Sequence, residues 1–138
     1  MVTWLLDTNV VSELRKGRGC HHAVAAWFAA TPADRLFLSA LTLGEVRKGV
    51  EALRPRDPER AVNLEIWLVE LGRMFSERVL PVTAAVADAW GSMAPLRSRP
   101  VVDTLLAATA RVHGLVLVTH DRDVQGLGVR VLNPFEAP

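Results

Sequence analysis

An α/β fold, with a parallel sheet covered by helices on both faces, is the architecture this sequence predicts. Three observations predict it. The chain opens on a short apolar run, Val2-Thr3-Trp4-Leu5-Leu6, without polar alternation, as in a strand buried on both faces. Strand-like runs then alternate with segments of helical period, the pattern of right-handed crossovers between parallel strands. The acids Asp7, Glu45, Asp103 and Asp121 fall where a strand has just ended or a helix is beginning, and ligands of such sheets bind beyond the carboxyl ends of the strands.

The elements follow in order. Residues 2–6 form the first strand, and a helix runs over 8–16, stopped by Gly17 and Gly19. A second helix covers 21–30, with Val24, Trp27 and Phe28 on one side, and Thr31-Pro32 ends it. The second strand is short, 36–40. The helix over 42–53 carries Leu43, Val46, Val50 and Leu53 close to a 3.6-residue period. Arg54-Pro55-Arg56 turns the chain. Asp57-Pro58-Glu59 starts the next helix: an N-cap acid, Pro at the first helical position and an acid in the first turn. That helix reaches about Phe75. It is apolar on more than one side (Leu64, Ile66, Trp67, Leu68, Leu71), which suits contact with a partner as well as the core. An extended piece at 79–82 precedes a helix over 83–93 that Pro95 ends. The helix over 101–113 closes on Gly114 as its C′ residue. Strands at 115–119 and 129–132 complete the chain, before Asn133-Pro134.

Length and composition narrow the function classes. At 138 residues, half of them apolar, the chain is expected to be a single domain spanning 1–138 with a real core. A charged fraction of 22% argues against disorder. The net charge of +1 is unlike a strongly basic nucleic-acid coat and leaves room for a local basic groove. Cys20 is the sole cysteine, so an internal disulfide and a thiolate zinc site are both excluded. No stretch approaches the ~20 apolar residues of a membrane span, so a cytoplasmic location is expected.

Each of the four acids has an ordinary structural use. Asp7 could cap the first helix. Glu45 completes Thr42-Leu43-Gly44-Glu45, a capping box. Asp103 favours the positive end of its helix, and Asp121 suits a turn. Together they share one edge of a parallel sheet, where four carboxylates repel one another unless a divalent cation joins them. Oxygen-only ligands select magnesium or manganese over zinc. Helix N-termini nearby favour an anion such as a phosphate. Carboxylate-bound metal beside a phosphate site is equipment for phosphodiester hydrolysis, in which a metal acidifies a bound water and stabilises the transition-state charge.

The ordered motifs resemble a known family. Leu-Leu-Asp7-Thr8-Asn9-Val10-Val11-Ser12-Glu13, then Leu38-Ser39-Ala40-Leu41-Thr42-Leu43-Gly44-Glu45 with Gly49, resembles PIN-domain nucleases. So do Asp103-Thr104-Leu105-Leu106-Ala107-Ala108-Thr109-Ala110, Leu117-Val118-Thr119-His120-Asp121-Arg122-Asp123-Val124 and the closing segment 126–135. The resemblance is nearest to VapC-type toxins of type II toxin–antitoxin pairs, the FitB-like branch included. It implies a PIN-like three-layer α/β/α sandwich with a central parallel sheet of four to five strands. It further implies a Mg2+- or Mn2+-dependent endoribonuclease, a VapB-like antitoxin partner, an RNA substrate and a homodimer. Asp7, Glu45 and Asp103 match the principal metal-site acids. Asp121 matches the fourth acidic position, with Asp123 a competing candidate. Thr119 matches a small polar residue lining the site, Thr8 and Asn9 the polar pair after the first acid. Thr104 stands where relatives often carry Ala. The helix pair over 42–75 is a candidate docking arm for an antitoxin segment.

Among other groups, Arg97 and Arg99 precede the helix of Asp103 and are the preferred phosphate contacts. His120, beside Asp121, is a candidate RNA contact. His21 and His22 are expected to point to opposite sides of a helix at the surface, and His120 apart no histidine is expected to take part in the chemistry, because metal-assisted hydrolysis needs none. Trp27, Trp67 and Trp90 are read as core or interface. Two alternatives differ in class. One is a PIN-like binding module without catalysis, disfavoured because all four acidic positions are filled. The other is a phosphoaspartyl enzyme, whose phosphatase pattern needs a second acid where this chain has Asn9 and whose receiver pattern needs a late strand-end lysine; the lysines are Lys16 and Lys48.

Overall fold

A computed structural model describes residues 1–93, 99–124 and 126–136, without the side chain of Asp123. Five parallel strands, β1 (Trp4–Leu6), β2 (Leu36–Ser39), β3 (Val79–Leu80), β4 (Val116–Val118) and β5 (Val131–Leu132), lie in the order β3-β2-β1-β4-β5. Among the described residues six helices accompany them: α1 (Thr8–Leu14), α2 (His22–Ala30), α3 (Ala40–Leu53), α4 (Pro58–Phe75), α5 (Ala84–Gly91) and α6 (Val101–His113).

The apolar strands are buried on both faces, as their composition requires. Successive side chains point to opposite faces, and the core divides accordingly. Leu6 and Val118 pack with Val10, Val11, Val24, Leu71 and Phe75 of α1, α2 and α4. Their neighbours Leu5 and Leu117 pack on the other face with Leu106, Ala107 and Ala110 of α6. α5 covers α6 through Val86, Met93 and Ala108. The three-layer sandwich with a parallel sheet is therefore present, at the upper end of the expected strand count.

Several boundaries differ from expectation, each for a local reason. β1 and β5 are shorter than their apolar runs, because only the residues facing a neighbouring strand join the ladder. α1 ends at Leu14, and a 3-10 turn over Gly17–Gly19 takes up the glycines. α3 starts at Ala40 rather than Thr42: Ser39 is its N-cap, with Oγ accepting the Leu41 N–H at 3.0 Å. The Thr42–Glu45 capping box is thus not formed, and both residues lie inside the helix. Thr83 caps α5 instead of belonging to it, its Oγ1 accepting the Val86 N–H at 3.2 Å. α4 and α6 match their predicted spans. Asp57 caps α4 ahead of Pro58, and Gly114 closes α6 in the left-handed region at φ 66°. Pro95 and Arg97 lie outside the described residues. Among those described, no helix is long and apolar enough to cross a membrane.

A candidate metal centre between β1 and β4

The strand order reverses between β1 and β4: the chain leaves β1 for β2 on one side and returns to β4 on the other. The crevice at the carboxyl ends of such a pair is where open α/β sheets bind ligands. Asp7 follows β1 directly, and its N–H donates to Val118 O of β4 at 2.9 Å. Thr119 follows β4, and its N–H donates to Leu132 O of β5 at 3.0 Å. Two ladder bonds therefore fix the two residues side by side at the crevice.

Asp7 is 5% exposed. Its Oδ1 accepts the Thr8 N–H at 2.6 Å, so the residue does cap α1. Its Oδ2 accepts the Thr119 hydroxyl at 2.8 Å and Asn9 Nδ2 at 3.2 Å. Thr119 Oγ1 in turn accepts Asn9 Nδ2 and the Asp121 N–H, each at 3.0 Å. Asn9 Oδ1 accepts the His120 N–H at 3.3 Å. The Thr8 hydroxyl donates to Glu45 Oε1 at 2.6 Å, which brings α3 into the same network. Burial pushes the Asp7 carboxyl above its ordinary range, and the charges of Glu45 and Asp121 push the same way. The hydrogen bonds from Thr119 and Thr8 oppose them.

The structure thus links Asp7, Thr8, Asn9, Glu45, Thr119 and Asp121. Asp103 stands half-buried in the first turn of α6. α6 leads into β4 and so begins at the carboxyl edge of the sheet. The side chain of Asp123 lies outside the described atoms, as does Arg97. Arg99, just before α6, is half-buried, and its Nη1 has no hydrogen-bond partner among the described residues. His120 is exposed. His22 is exposed as expected, but the two rings do not point apart: they stack with centroids 4.7 Å apart. His21 is the N-cap of α2, its Nδ1 accepting the Ala23 N–H at 3.2 Å, and the extended cap conformation turns its ring onto its neighbour.

Two features had no strong sequence signal. The Thr8–Glu45 bond joins residues 37 apart in sequence. Thr104 is buried, its Oγ1 accepting the Trp90 indole N–H at 2.9 Å, which ties α5 to the helix of Asp103. The hydroxyl is therefore structural.

The donor set is oxygen only, and its most buried member is a carboxylate in the field of two others. That is the chemistry of a hard divalent cation. Among the described residues, no three acidic, histidine or cysteine side chains stand close enough to hold a metal as placed.

The chain is similar to known proteins over most of its length. The profile of the PIN domain matches residues 4–129. The VapC ribonuclease Y4jK of Sinorhizobium fredii is 33% identical over 138 residues, covering 96% of this chain and 97% of that protein. The crystal structure of FitAcB from Neisseria gonorrhoeae superposes with a TM-score of 0.84 at 30% identity, over 97% of this chain and 99% of the other. DNA-bound VapBC from Salmonella typhimurium superposes at 0.73 with 25% identity, over 97% and 99%. With a family profile spanning most of its length and relatives matched nearly end to end, the chain belongs to the PIN domain family.

Proposed function

We propose that this chain is the toxin of a type II toxin–antitoxin pair, an endoribonuclease that hydrolyses RNA phosphodiester bonds in the cytoplasm with Mg2+ or Mn2+. The observation that carries the reading is the buried Asp7 carboxylate at the β1–β4 crevice, surrounded by polar donors and pushed up by burial and by Glu45 and Asp121. Asp7, Glu45, Asp103 and Asp121 would hold the cation, with Asp123 the alternative in the fourth position. When bound, the ion supplies Lewis-acid stabilisation of the phosphoryl oxygens and acidifies water.

The protein's own residues do the positioning. Thr119 and the Thr8 backbone orient Asp7 and favour its charged form against the larger effect of burial. The Thr8 hydroxyl holds Glu45 toward it. Asn9 ties the loop after β4 to α1. Arg99, with Arg97, would meet the RNA backbone. Relatives named as ribonucleases and a toxin support this reading, and the superposable structures include FitAcB and DNA-bound VapBC. A VapB-like antitoxin is the inferred partner, and a homodimer the inferred assembly.

The test is cleavage of total RNA by the purified chain with Mn2+, with EDTA, and with Asp7→Asn. Cleavage is expected with metal and lost in the other two. Undiminished cleavage by Asp7→Asn would sink the assignment. A chain that binds antitoxin but cleaves nothing would favour the inactive binding module.

A further inference from the structure

A polar cleft of about 200 Å3 opens beside the acidic centre, lined by His120, Asp121 and Arg122 after β4 and by Asn133 and Glu136 after β5. His120 is the aromatic ring in its lining, and Phe135 backs that ring. The Phe135 ring lies 5.3 Å from His120 on one side and 5.3 Å from His21 on the other. Backbone bonds fix this arrangement. The Phe135 N–H donates to Asn133 Oδ1 at 3.0 Å, and the His120 N–H donates to Asn9 Oδ1, whose amide also touches Asp7. The rings are therefore registered to the acidic centre. Phe135 is half-buried against the core, but His120 is exposed, which packing alone does not require. At the cleft, Arg122 Nη2 and Glu136 Oε1 pair at 3.3 Å with both side chains mostly exposed. A pair so open to water is weak and exchanges readily for another partner.

Unpaired RNA bases are recognised by this combination: an aromatic face to stack on, and fixed donors and acceptors for the base edge. We propose that the cleft is a base-binding subsite for single-stranded RNA. A base next to the scissile phosphate stacks on the His120 ring, which Phe135 backs and holds in place, its edge toward Asn133, Arg122 and Glu136. The inference rests on the endoribonuclease reading and adds to it a place where sequence preference is set.

The experiment is steady-state cleavage and cut-site mapping on a randomised single-stranded RNA with Mn2+, using the full chain. The proteins are wild type, His120→Ala, His120→Phe and Phe135→Leu, the last keeping apolar volume against the core. Stacking on one aromatic group commonly changes affinity by an order of magnitude. His120→Ala should therefore raise KM about tenfold and flatten base preference at one position beside the cut. His120→Phe should restore both, and Phe135→Leu should resemble His120→Ala while staying folded, its melting temperature lowered by only a few degrees. Wild-type KM and cut sites in His120→Ala would overturn the subsite while leaving the nuclease intact. So would failure of His120→Phe to rescue, or variants that weaken antitoxin binding alone. A wild type that cleaves no RNA would overturn the nuclease reading and the subsite with it.

Discussion

Asp7 serves two ends that conflict. As an N-cap it satisfies the first turn of α1, and as a buried carboxylate it carries a charge that water no longer screens. Because its folded pKa is raised, the native chain keeps a proton that the unfolded chain has already lost. Stability from this residue therefore falls as pH rises from the ordinary carboxylate range through the raised value, and stays low above it. Metal-free Asp7→Asn should melt higher than wild type at neutral pH, with the gap closing as pH falls toward 4; thermal melts across pH in EDTA measure it, and a constant gap would contradict it. Thr119→Val leaves that carboxylate without its hydroxyl donor at the same volume. It should cost about 1–3 kcal/mol by urea unfolding, with Thr119→Ser close to wild type. Asp7 and Asp103 were placed correctly from the sequence, since one ends a strand and the other lies in the first turn of a helix, whereas Glu45 lies inside α3 rather than at its start. The Thr8–Glu45 bond was not, since a contact across 37 residues leaves no local pattern.

Helix ends carry the next level of information. Where a cap has one chemical solution, sequence and structure agree: Asp57-Pro58 opens α4 and Gly114 closes α6. Where two hydroxyls compete, local reading fails. Ser39 rather than Thr42 caps α3, because Ser39 already sits at the end of β2 with its side chain buried. The two-residue extension fixes where Glu45 meets Thr8. Ser39→Ala should cost about 1 kcal/mol of stability and should lower RNA cleavage as Glu45 loosens, readable by chemical denaturation alongside a cleavage assay. A purely global loss, with specific activity kept, would separate the cap from the site. The α3–α4 pair is also laced by ions: Arg47 pairs with Glu51 and Glu65, and Arg54 with the same two acids. Arg54, then Arg47, holds the Glu51 carboxyl down to about 2. These side chains are open to solvent, so salt screens them and little stability is expected from them.

At the scale of the molecule, one topological fact joins fold and chemistry. The reversal of strand order between β1 and β4 places the buried Asp7 at the carboxyl end of the central strand, whose own residues Leu5 and Leu6 belong to the cores on the two faces. Alternation of strand and helix made the layers legible, but sheet order depends on pairings distant in sequence and had to come from the structure. A ligand that neutralises Asp7 consequently acts on the most central strand pair, and binding should appear as global stability. A cation at a hundred times its dissociation constant adds about 2.7 kcal/mol, which for a chain of this size corresponds to roughly 10 °C in melting temperature. Titrating Mn2+ into the metal-free protein should raise the melting temperature by that order, saturably, at pH values where Asp7 is ionised. Asp7→Asn, stable but lacking the anchoring charge, should respond little. An equal response in both proteins would place the bound cation somewhere other than the β1–β4 crevice.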